Sequence, residues 1–217
     1  MPCCLKKLCQ SFGLLIAGLF CVLCLSKAGH AQEAWQAGDL IFREGNEPVS
    51  DLVRLADRGL FSHVGMIIGQ PGAWQVIHAT PEEVPGRGNA VVIDDLAFFT
   101  APERSLQYAI YQVQATPQQH EQAVAAALQD LGKPFSVVET GLYCTTLIEN
   151  AWLAAGVDLQ PVYTQVKLPM ISGHYLLPSG LLASPLLVHT AHTEIQPETP
   201  EIPSVLVPAT ADSRSIR

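Results

Sequence analysis

Residues 63–79 read HVGMIIGQPGAWQVIHA, two apolar runs joined by a short turn that contains proline and glycine. Two short apolar runs joined in this way are typical of the buried strands of a β-hairpin. His63 begins the first run, and His78 lies near the end of the second. In an antiparallel pair, the start of one strand and the end of its partner lie at the same edge of the sheet. The sequence therefore predicts two imidazoles close together at one end of a hairpin.

Other segments predict the rest of a mixed architecture. Apolar runs of strand length occur at residues 38–43, 90–93 and 108–113. Apolar residues at helical spacing occur at residues 51–58 and 116–131, and in a segment that begins at Cys144 and stops at Gly156. Such periodicity separates strands from helices. We therefore expect an α+β fold in which a small antiparallel sheet packs against the helix that carries Cys144.

Cys144 stands alone in the part of the sequence that follows residue 24. The chain has six cysteines, and the other five lie within the first 24 residues. Without a disulfide partner in the predicted domain, Cys144 is either an inert core residue or a nucleophile. It follows a short loop at a predicted helix start, where free N–H groups favour negative charge and lower a thiol pKa. This position indicates a reactive thiolate.

Residues 1–31 have the pattern of an export signal. Two lysines precede an apolar stretch at residues 14–25, and small residues at positions 29 and 31 precede a predicted cleavage site. An uncleaved membrane anchor and a lipid attached to Cys21 or Cys24 remain alternatives. We expect an exported protein, periplasmic in a Gram-negative bacterium, whose only route to membrane association is this segment.

Composition limits the partners and the domain count. The formal net charge is −8 over 217 residues, which argues against nucleic acid because nucleic-acid binding needs a basic face. Residues 34–186 are long enough to form one domain with a core. Residues 187–217 are rich in Pro, Thr, Glu and Ser without periodicity, so we expect a disordered tail. The sequence has no glycine-rich phosphate loop, and we expect no cofactor.

The remaining polar candidates are predicted to have no catalytic role. His120, His189 and His192 are expected at the surface, and His174 in a loop. Asp94 and Asp95 are neighbours at a predicted strand and point to opposite faces, so we expect turn or surface residues rather than a catalytic pair. A metal site built from His63, His78 and Cys144 is disfavoured, because their spacing gives no closed ligand set.

Five short segments follow one another in a distinctive order. They are GDLIF at 38–42, FSHVGMI at 61–67, VIHA at 76–79, LGKPF at 131–135 and YCTTLI at 143–148. Together they resemble the bacterial permuted papain-like cysteine amidases and peptidases, in the YiiX/YaeF-like branch of the NlpC-type superfamily. The resemblance extends over residues 38–184. It implies a circularly permuted papain-like fold, in which the histidine precedes the cysteine along the chain.

The resemblance also implies roles for three residues. Cys144 corresponds to the nucleophile, His63 to the base, and His78 to the polar residue that orients the base. The backbone N–H of Cys144 would stabilise the oxyanion. The implied function is an exported cysteine hydrolase that cleaves amide bonds through a thioester, with cell-wall peptides as the expected substrate.

The sequence departs from the family pattern at three places. Many members carry glutamate where this chain has His78, aspartate where it has Ser136, and Ser-Glu where it has Thr145-Thr146. The Cys-His-His set is similar to the lecithin retinol acyltransferase-like branch, whose members act on acyl lipids. A lipid acyl hydrolase or acyltransferase therefore remains an alternative, and so does a non-catalytic binding module of the same fold.

Overall fold

The computed structural model describes residues 35–168 and 171–194. The strands are β1 (Leu40–Gly45), β2 (His63–Gln70), β3 (Ala73–Thr80), β4 (Ala90–Asp95), β5 (Ser105–Val113), β6 (Tyr163–Leu168), β7 (Ile171–Leu176) and β8 (Leu187–Glu194). The helices are α1 (Pro48–Asp57), α2 (Leu96–Phe99), α3 (Pro117–Gln129), α4 (Cys144–Ala154) and α5 (Pro178–Leu182). The predicted export signal and residues 195–217 of the predicted tail lie outside the described residues.

Six strands form one antiparallel sheet in the order β4-β3-β2-β1-β5-β8, and β6 pairs with β7 in a separate hairpin. β2 and β3 form the hairpin that the sequence predicts, with Met66 opposite Ile77 and Gln70 opposite Ala73. β1 lies between β2 and β5 in the middle of the sheet. The predicted mixed fold with a mostly antiparallel sheet is confirmed.

The two faces of the sheet are buried by different elements, because side chains alternate along a strand. One core cluster includes Met66, Ile77, Leu147 and Trp152, and the other includes Ile41, Ile67, Val76 and Phe99. α4 therefore packs on the first face. His63 and His78 lie on the second face, where their rings are 5.7 Å and 5.0 Å from the ring centroid of Phe99 in α2.

The start of α4 is tied to the β6–β7 hairpin. The hydroxyl of Thr145 donates to the carbonyl of Leu176 at 2.6 Å, and the N–H of Leu176 donates to the hydroxyl of Tyr143 at 3.2 Å. The hydroxyl of Thr146 accepts a hydrogen bond from the N–H of Tyr143 at 2.9 Å. The Thr145-Thr146 pair, which departs from the family's usual Ser-Glu, therefore fixes the point at which the cysteine helix begins.

The sheet continues into the segment that was expected to be a disordered tail. Residues Leu187–Glu194 form β8, which pairs with β5, so the ordered domain passes the expected boundary at residue 186. His189 lies in this strand, and His174 lies in β7 rather than in a loop. Among the residues that the structure describes, β8 is an edge strand of the sheet, and its polar composition suits that position. Across residues 35–168 and 171–194, the helices are too short or too polar to cross a bilayer.

Candidate active site

Four side chains from β2, β3, β4 and the loop between β3 and β4 form a continuous hydrogen-bonded chain. His63 Nε2 lies 2.8 Å from His78 Nδ1, and His78 Nε2 lies 3.0 Å from Asp94 Oδ2. Arg87 donates to both carboxylate oxygens of Asp94, at 2.6 Å and 3.2 Å. His63 and His78 are buried. The structure thus places the two histidines side by side and adds a carboxylate behind them.

Strand register and one glycine explain this alignment. His78 lies opposite Val92, and Val76 lies opposite Asp94, so His78 and Asp94 are diagonal neighbours on one face. Gly65 of β2 adjoins His78. A Cβ atom at Gly65 would lie 2.3 Å from Val76 Cγ1 and 3.2 Å from His78 Cβ. Because glycine has no side chain, His78 can pack closely against β2 at this position.

The expectation that Asp94 is a turn or surface residue is wrong. Asp94 is 8% exposed and bonded to His78, whereas Asp95 is exposed on the other face. Burial by itself would raise the pKa of Asp94, but the hydrogen bonds from His78 and Arg87 hold it below the ordinary value. The alternation of strand residues separates the two acids correctly. It does not tell which of the two faces is covered.

The charge states set the direction of the hydrogen bonds. Burial lowers the pKa of His78, although the hydrogen bond to Asp94 opposes this shift, so the imidazole is neutral. A carboxylate only accepts, so His78 donates to Asp94 through Nε2–H. A neutral imidazole has one N–H, so Nδ1 of His78 accepts from Nε2–H of His63. Nδ1 of His63 then keeps its lone pair, which is the form that a general base needs.

A buried ion pair lies next to His63. Arg43 is 1% exposed, and its Nη2 lies 2.6 Å from Glu83 Oε1. Glu83 also accepts from the hydroxyl of Thr80 at 2.6 Å. Burial would raise the pKa of Glu83, but the charge of Arg43, together with weaker contributions that include His63 and Thr80, lowers it to about 2. Burial, followed by the charge of Arg43, lowers the pKa of His63 well below its ordinary value. His63 is therefore neutral at pH 7.

Cys144 is the first residue of α4 and follows Tyr143, whose backbone is extended. Its side chain is partly accessible, and the backbone N–H groups of Val64 and Thr145 stabilise the thiolate form. Burial outweighs these contributions and raises the pKa of the thiol to about 11. The expectation that the helix start lowers this pKa is therefore wrong. Loss of hydration raises the pKa of the thiol by more than the hydrogen bonds from the N–H groups lower it.

Cys144 and His63 line one cavity of about 450 Å³. In the described parts of the chain, the thiol and the imidazole are not joined by a hydrogen bond. Catalytic hydrogen bonds are often long without substrate and tighten when it binds. The resting pair is thus a neutral thiol beside a neutral imidazole. Transfer of the thiol proton to His63 would convert this pair to a thiolate and an imidazolium.

His63, His78 and Glu83 are a group that could hold a metal ion, since their ligand atoms lie within 4.8 Å of one another. Most of their ligand atoms already have partners. His63 and His78 are hydrogen-bonded to each other, and Glu83 is paired with Arg43 at 2.6 Å. A cation here would be repelled by the buried guanidinium of Arg43 and would break both interactions. The arrangement fits proton transfer better than metal binding.

The other histidines are placed away from this chain of hydrogen bonds. The prediction that His120 is exposed is wrong. It is a buried residue of α3, where Nδ1 lies 3.0 Å from the carbonyl of Ala37 and Nε2 lies 3.0 Å from that of Val113. His174 and His189 are exposed. Of His192 only the backbone pairing with Ala109 is described.

The sequence did not indicate three residues that shape the site: Arg43, Glu83 and Arg87. Arg43 interrupts the core face of a predicted strand, and a charge in such a position is a usable signal that it is paired. Glu83 and Arg87 lie between β3 and β4 in a loop whose sequence has no recognisable pattern. Only the fold shows that this loop turns back over the histidines.

Comparisons with known proteins agree with this architecture. Residues 34–170 match the family described as permuted papain-like amidase enzyme, YaeF/YiiX, C92 family. The fold is similar to the crystal structure of the metalloprotein yiiX from Escherichia coli O157:H7, with a TM-score of 0.60 and 18% sequence identity. That similarity covers 72% of this chain and 96% of the other. No curated protein matches the sequence.

Proposed function

Because the chain belongs to the family of permuted papain-like amidases of the YaeF/YiiX type, we propose that it is an exported cysteine amidase in which Cys144 is the nucleophile and His63 the base. The observation that carries this proposal is the hydrogen-bonded chain from His63 through His78 to Asp94, which ends at the cavity holding Cys144. This chain leaves Nδ1 of His63 free to accept a proton. A binding module would have no need of that arrangement.

The first half of the reaction forms a thioester. His63 takes the proton of Cys144 at Nδ1 as the sulfur attacks the amide carbonyl, and an S–C bond forms. The backbone N–H of Cys144 at the helix start then stabilises the oxyanion, an interaction worth about 3 kcal/mol in other enzymes. His63 returns the proton to the amide nitrogen, the C–N bond breaks, and the amine leaves.

The second half releases the acyl group. His63 accepts a proton from a water molecule, whose oxygen attacks the thioester carbonyl and forms a C–O bond. The S–C bond breaks, and the proton returns to the sulfur of Cys144. During both halves His63 becomes positively charged for a moment. His78 accepts the Nε2–H bond of that cation, and Asp94 supplies the negative charge one imidazole further away.

The proposal also includes the localisation of the protein and the class of its substrate. Export is supported by the pattern of residues 1–31 alone. Cell-wall peptides are one substrate class for an exported amidase. A lipid acyl hydrolase is a second candidate, and it is favoured by the apolar walls of the cavity beside Cys144.

The crystal structure that shares this fold is described as that of a metalloprotein. In this chain, Glu83 is paired with Arg43, and His63 is hydrogen-bonded to His78. The proposed mechanism therefore assigns proton transfer to His63, and every step uses side chains of this chain and water.

The proposal is tested by trapping the thioester. The protein is mixed with the p-nitrophenyl ester of acetic acid, quenched in acid, and its intact mass is measured. We expect one added acetyl group on the wild type and none on Cys144→Ala, with hydrolysis of acetyl p-nitroanilide lost in the same variant. Hydrolysis that persists in Cys144→Ala, or the lack of any acylation of the wild type, contradicts the proposal. A fusion of residues 1–31 to a reporter that is active only after export tests localisation.

A further inference from the structure

Arg43 and His63 lie directly opposite each other on neighbouring strands. They are register partners in the pairing of β1 with β2, so both side chains lie on the same face of the sheet. The Cβ atoms of such partners are about 5 Å apart. One phenyl ring contacts both groups, since the guanidinium carbon of Arg43 lies 4.4 Å and the ring of His63 lies 5.7 Å from the ring centroid of Phe99. A permanent positive charge is therefore fixed beside the proposed base.

The charge of Arg43 is shielded from water and held in one place. Arg43 is 1% exposed, and His63 is 8% exposed. Nη1 of Arg43 donates to the carbonyl of Phe99 at 3.1 Å, and Nη2 donates to Glu83 at 2.6 Å. Charges in such a region interact more strongly than charges at a surface, because less water screens them. The guanidinium of Arg43 therefore opposes a second positive charge on His63.

The carboxylates near His63 offset the charge of Arg43 only in part. Glu83 is shared between two guanidinium groups, that of Arg43 at 2.6 Å and that of Arg104 at 3.2 Å. Glu47 lies 3.4 Å from Arg43, but its side chain is 25% exposed, so water weakens its effect. Burial contributes most to the low pKa of His63, the charge of Arg43 contributes next, and Glu83 opposes both with a smaller effect.

The other titratable groups around His63 place no negative charge next to it. His78 of β3 is a neutral imidazole, and the carboxylate of Asp94 lies beyond it. Cys144 of α4 shares the cavity with His63 and is a neutral thiol. The contact from α2 is the ring of Phe99, which does not titrate. Burial and the neighbouring guanidinium therefore set the charge state of His63.

We propose that Arg43 is a positioning residue for the reaction, whose buried charge keeps His63 in its neutral, proton-accepting form in mildly acidic surroundings. This inference rests on the proposed function and adds a condition under which the site works. A protonated His63 has no lone pair at Nδ1 and cannot take the proton of Cys144. An ordinary histidine is largely protonated at about pH 5. The guanidinium beside His63 moves the loss of activity to lower pH.

The test compares two replacements of similar length that differ in charge. Arg43→Met removes the positive charge, and its matched control Arg43→Lys keeps it. The kcat/KM on acetyl p-nitroanilide is measured for each protein at pH 5 and at pH 7. The ratio of the value at pH 5 to that at pH 7 should fall about fivefold in Arg43→Met, because the imidazolium of His63 loses a neighbouring like charge. In Arg43→Lys the ratio should stay within about twofold of wild type, because the ammonium group supplies the same charge.

A third variant separates the charge of Arg43 from its packing. Glu83→Gln breaks the same ion pair as Arg43→Met, but it removes the negative charge and leaves the positive one. The imidazolium of His63 is then disfavoured further, so the ratio should equal or exceed that of wild type. Titration of the His63 ring nitrogens by NMR gives the same comparison without substrate. The titration midpoint should rise in Arg43→Met and should not rise in Glu83→Gln, and circular dichroism at both pH values checks that the variants fold.

The outcomes separate this inference from the proposed function. A loss of activity at pH 5 that is confined to Arg43→Met, with a matching shift of the His63 titration, supports the inference. Equal falls in Arg43→Met and Arg43→Lys, or a rise of the midpoint in Glu83→Gln, overturn it, and the second result decides even if Arg43→Met does not fold. If the wild type hydrolyses no anilide and no activated ester acylates Cys144, the proposed function fails. The ring titration then still decides whether Arg43 keeps His63 neutral.

Discussion

Replacement of Asp94 by asparagine should reverse the hydrogen bonds that prepare His63 as a base. Asp94 accepts from His78 on one side and from Arg87 on the other. Asparagine has one oxygen and one NH2 group to satisfy the same two neighbours, and Arg87 can only donate. The oxygen therefore turns to Arg87, and the NH2 group faces Nε2 of His78. His78 must then donate through Nδ1–H, and His63 must carry its proton at Nδ1, where it cannot accept one from Cys144.

The size of the effect follows from two contributions. A hydrogen bond to a charged group is worth about 1.5 kcal/mol more than a neutral one, so the oxygen prefers Arg87 and about nine molecules in ten hold the wrong tautomer. Loss of the carboxylate that supports the imidazolium should cost a further tenfold or more, as for outer partners of other sites. We expect kcat/KM of Asp94→Asn on acetyl p-nitroanilide to fall about 100-fold.

The double variant Asp94→Asn with Arg87→Ala identifies the cause. Without Arg87, the asparagine oxygen is free to face His78, the original tautomer returns, and about tenfold of the lost activity should be recovered. Asp95→Asn is the matched control, because Asp95 is the exposed neighbour on the opposite face. A loss below threefold in Asp94→Asn refutes the reasoning about the hydrogen-bonded chain. A double variant no faster than Asp94→Asn refutes the tautomer argument.

Three further predictions concern packing, the thiol and the buried ion pair. Gly65→Ala should lower the free energy of unfolding by about 1–3 kcal/mol and reduce kcat, because its Cβ would lie 2.3 Å from Val76 Cγ1. An unchanged midpoint of urea unfolding would contradict the packing argument. Alkylation of Cys144 by iodoacetamide at pH 7 should be at least tenfold slower than alkylation of a model thiol, since the thiol pKa is raised to about 11. For the same reason the alkylation rate should keep rising with pH beyond 9. A rate that levels off below pH 8 would show that the thiol is already ionised there. Glu83→Gln should lower stability by about 3 kcal/mol at pH 7, because the pKa of Glu83 is lowered from 4.5 to about 2. The contribution of Glu83 is complete above pH 4.5 and is lost as pH falls towards 2, so wild type and variant should converge there, and a constant difference would count against the ion pair.

The parts of the fold that depend on local patterns could be predicted from the sequence. The hairpin from His63 to His78 follows from two apolar runs and a turn, and the start of α4 at Cys144 follows from a loop and a helical period. β8 was not predicted, because its sequence is polar and only its pairing with β5 makes it a strand. β6 and β7 likewise carry too little periodicity to indicate a hairpin.

Some residues of the candidate site could likewise be predicted from the sequence, and others could not. Cys144, His63 and His78 were named from their positions on predicted elements. The partners that set their charge states were not, because Arg43 and Glu83 meet only when a loop folds back on a strand. Burial also reversed the expected direction of the thiol pKa. A helix start is visible in a sequence, but the depth of the cavity around it is a property of the assembled walls.

The hydrogen bond between His78 and Asp94 makes the residue that fits at position 94 depend on the residue at position 78. A glutamate at position 78 would bring its own negative charge to His63 and would face the carboxylate of Asp94 across a buried space. The two acids would repel each other, so a glutamate at 78 and an aspartate at 94 are poor companions. We expect relatives to exchange these residues together: histidine at 78 with an acid at 94, or glutamate at 78 with a neutral residue at 94.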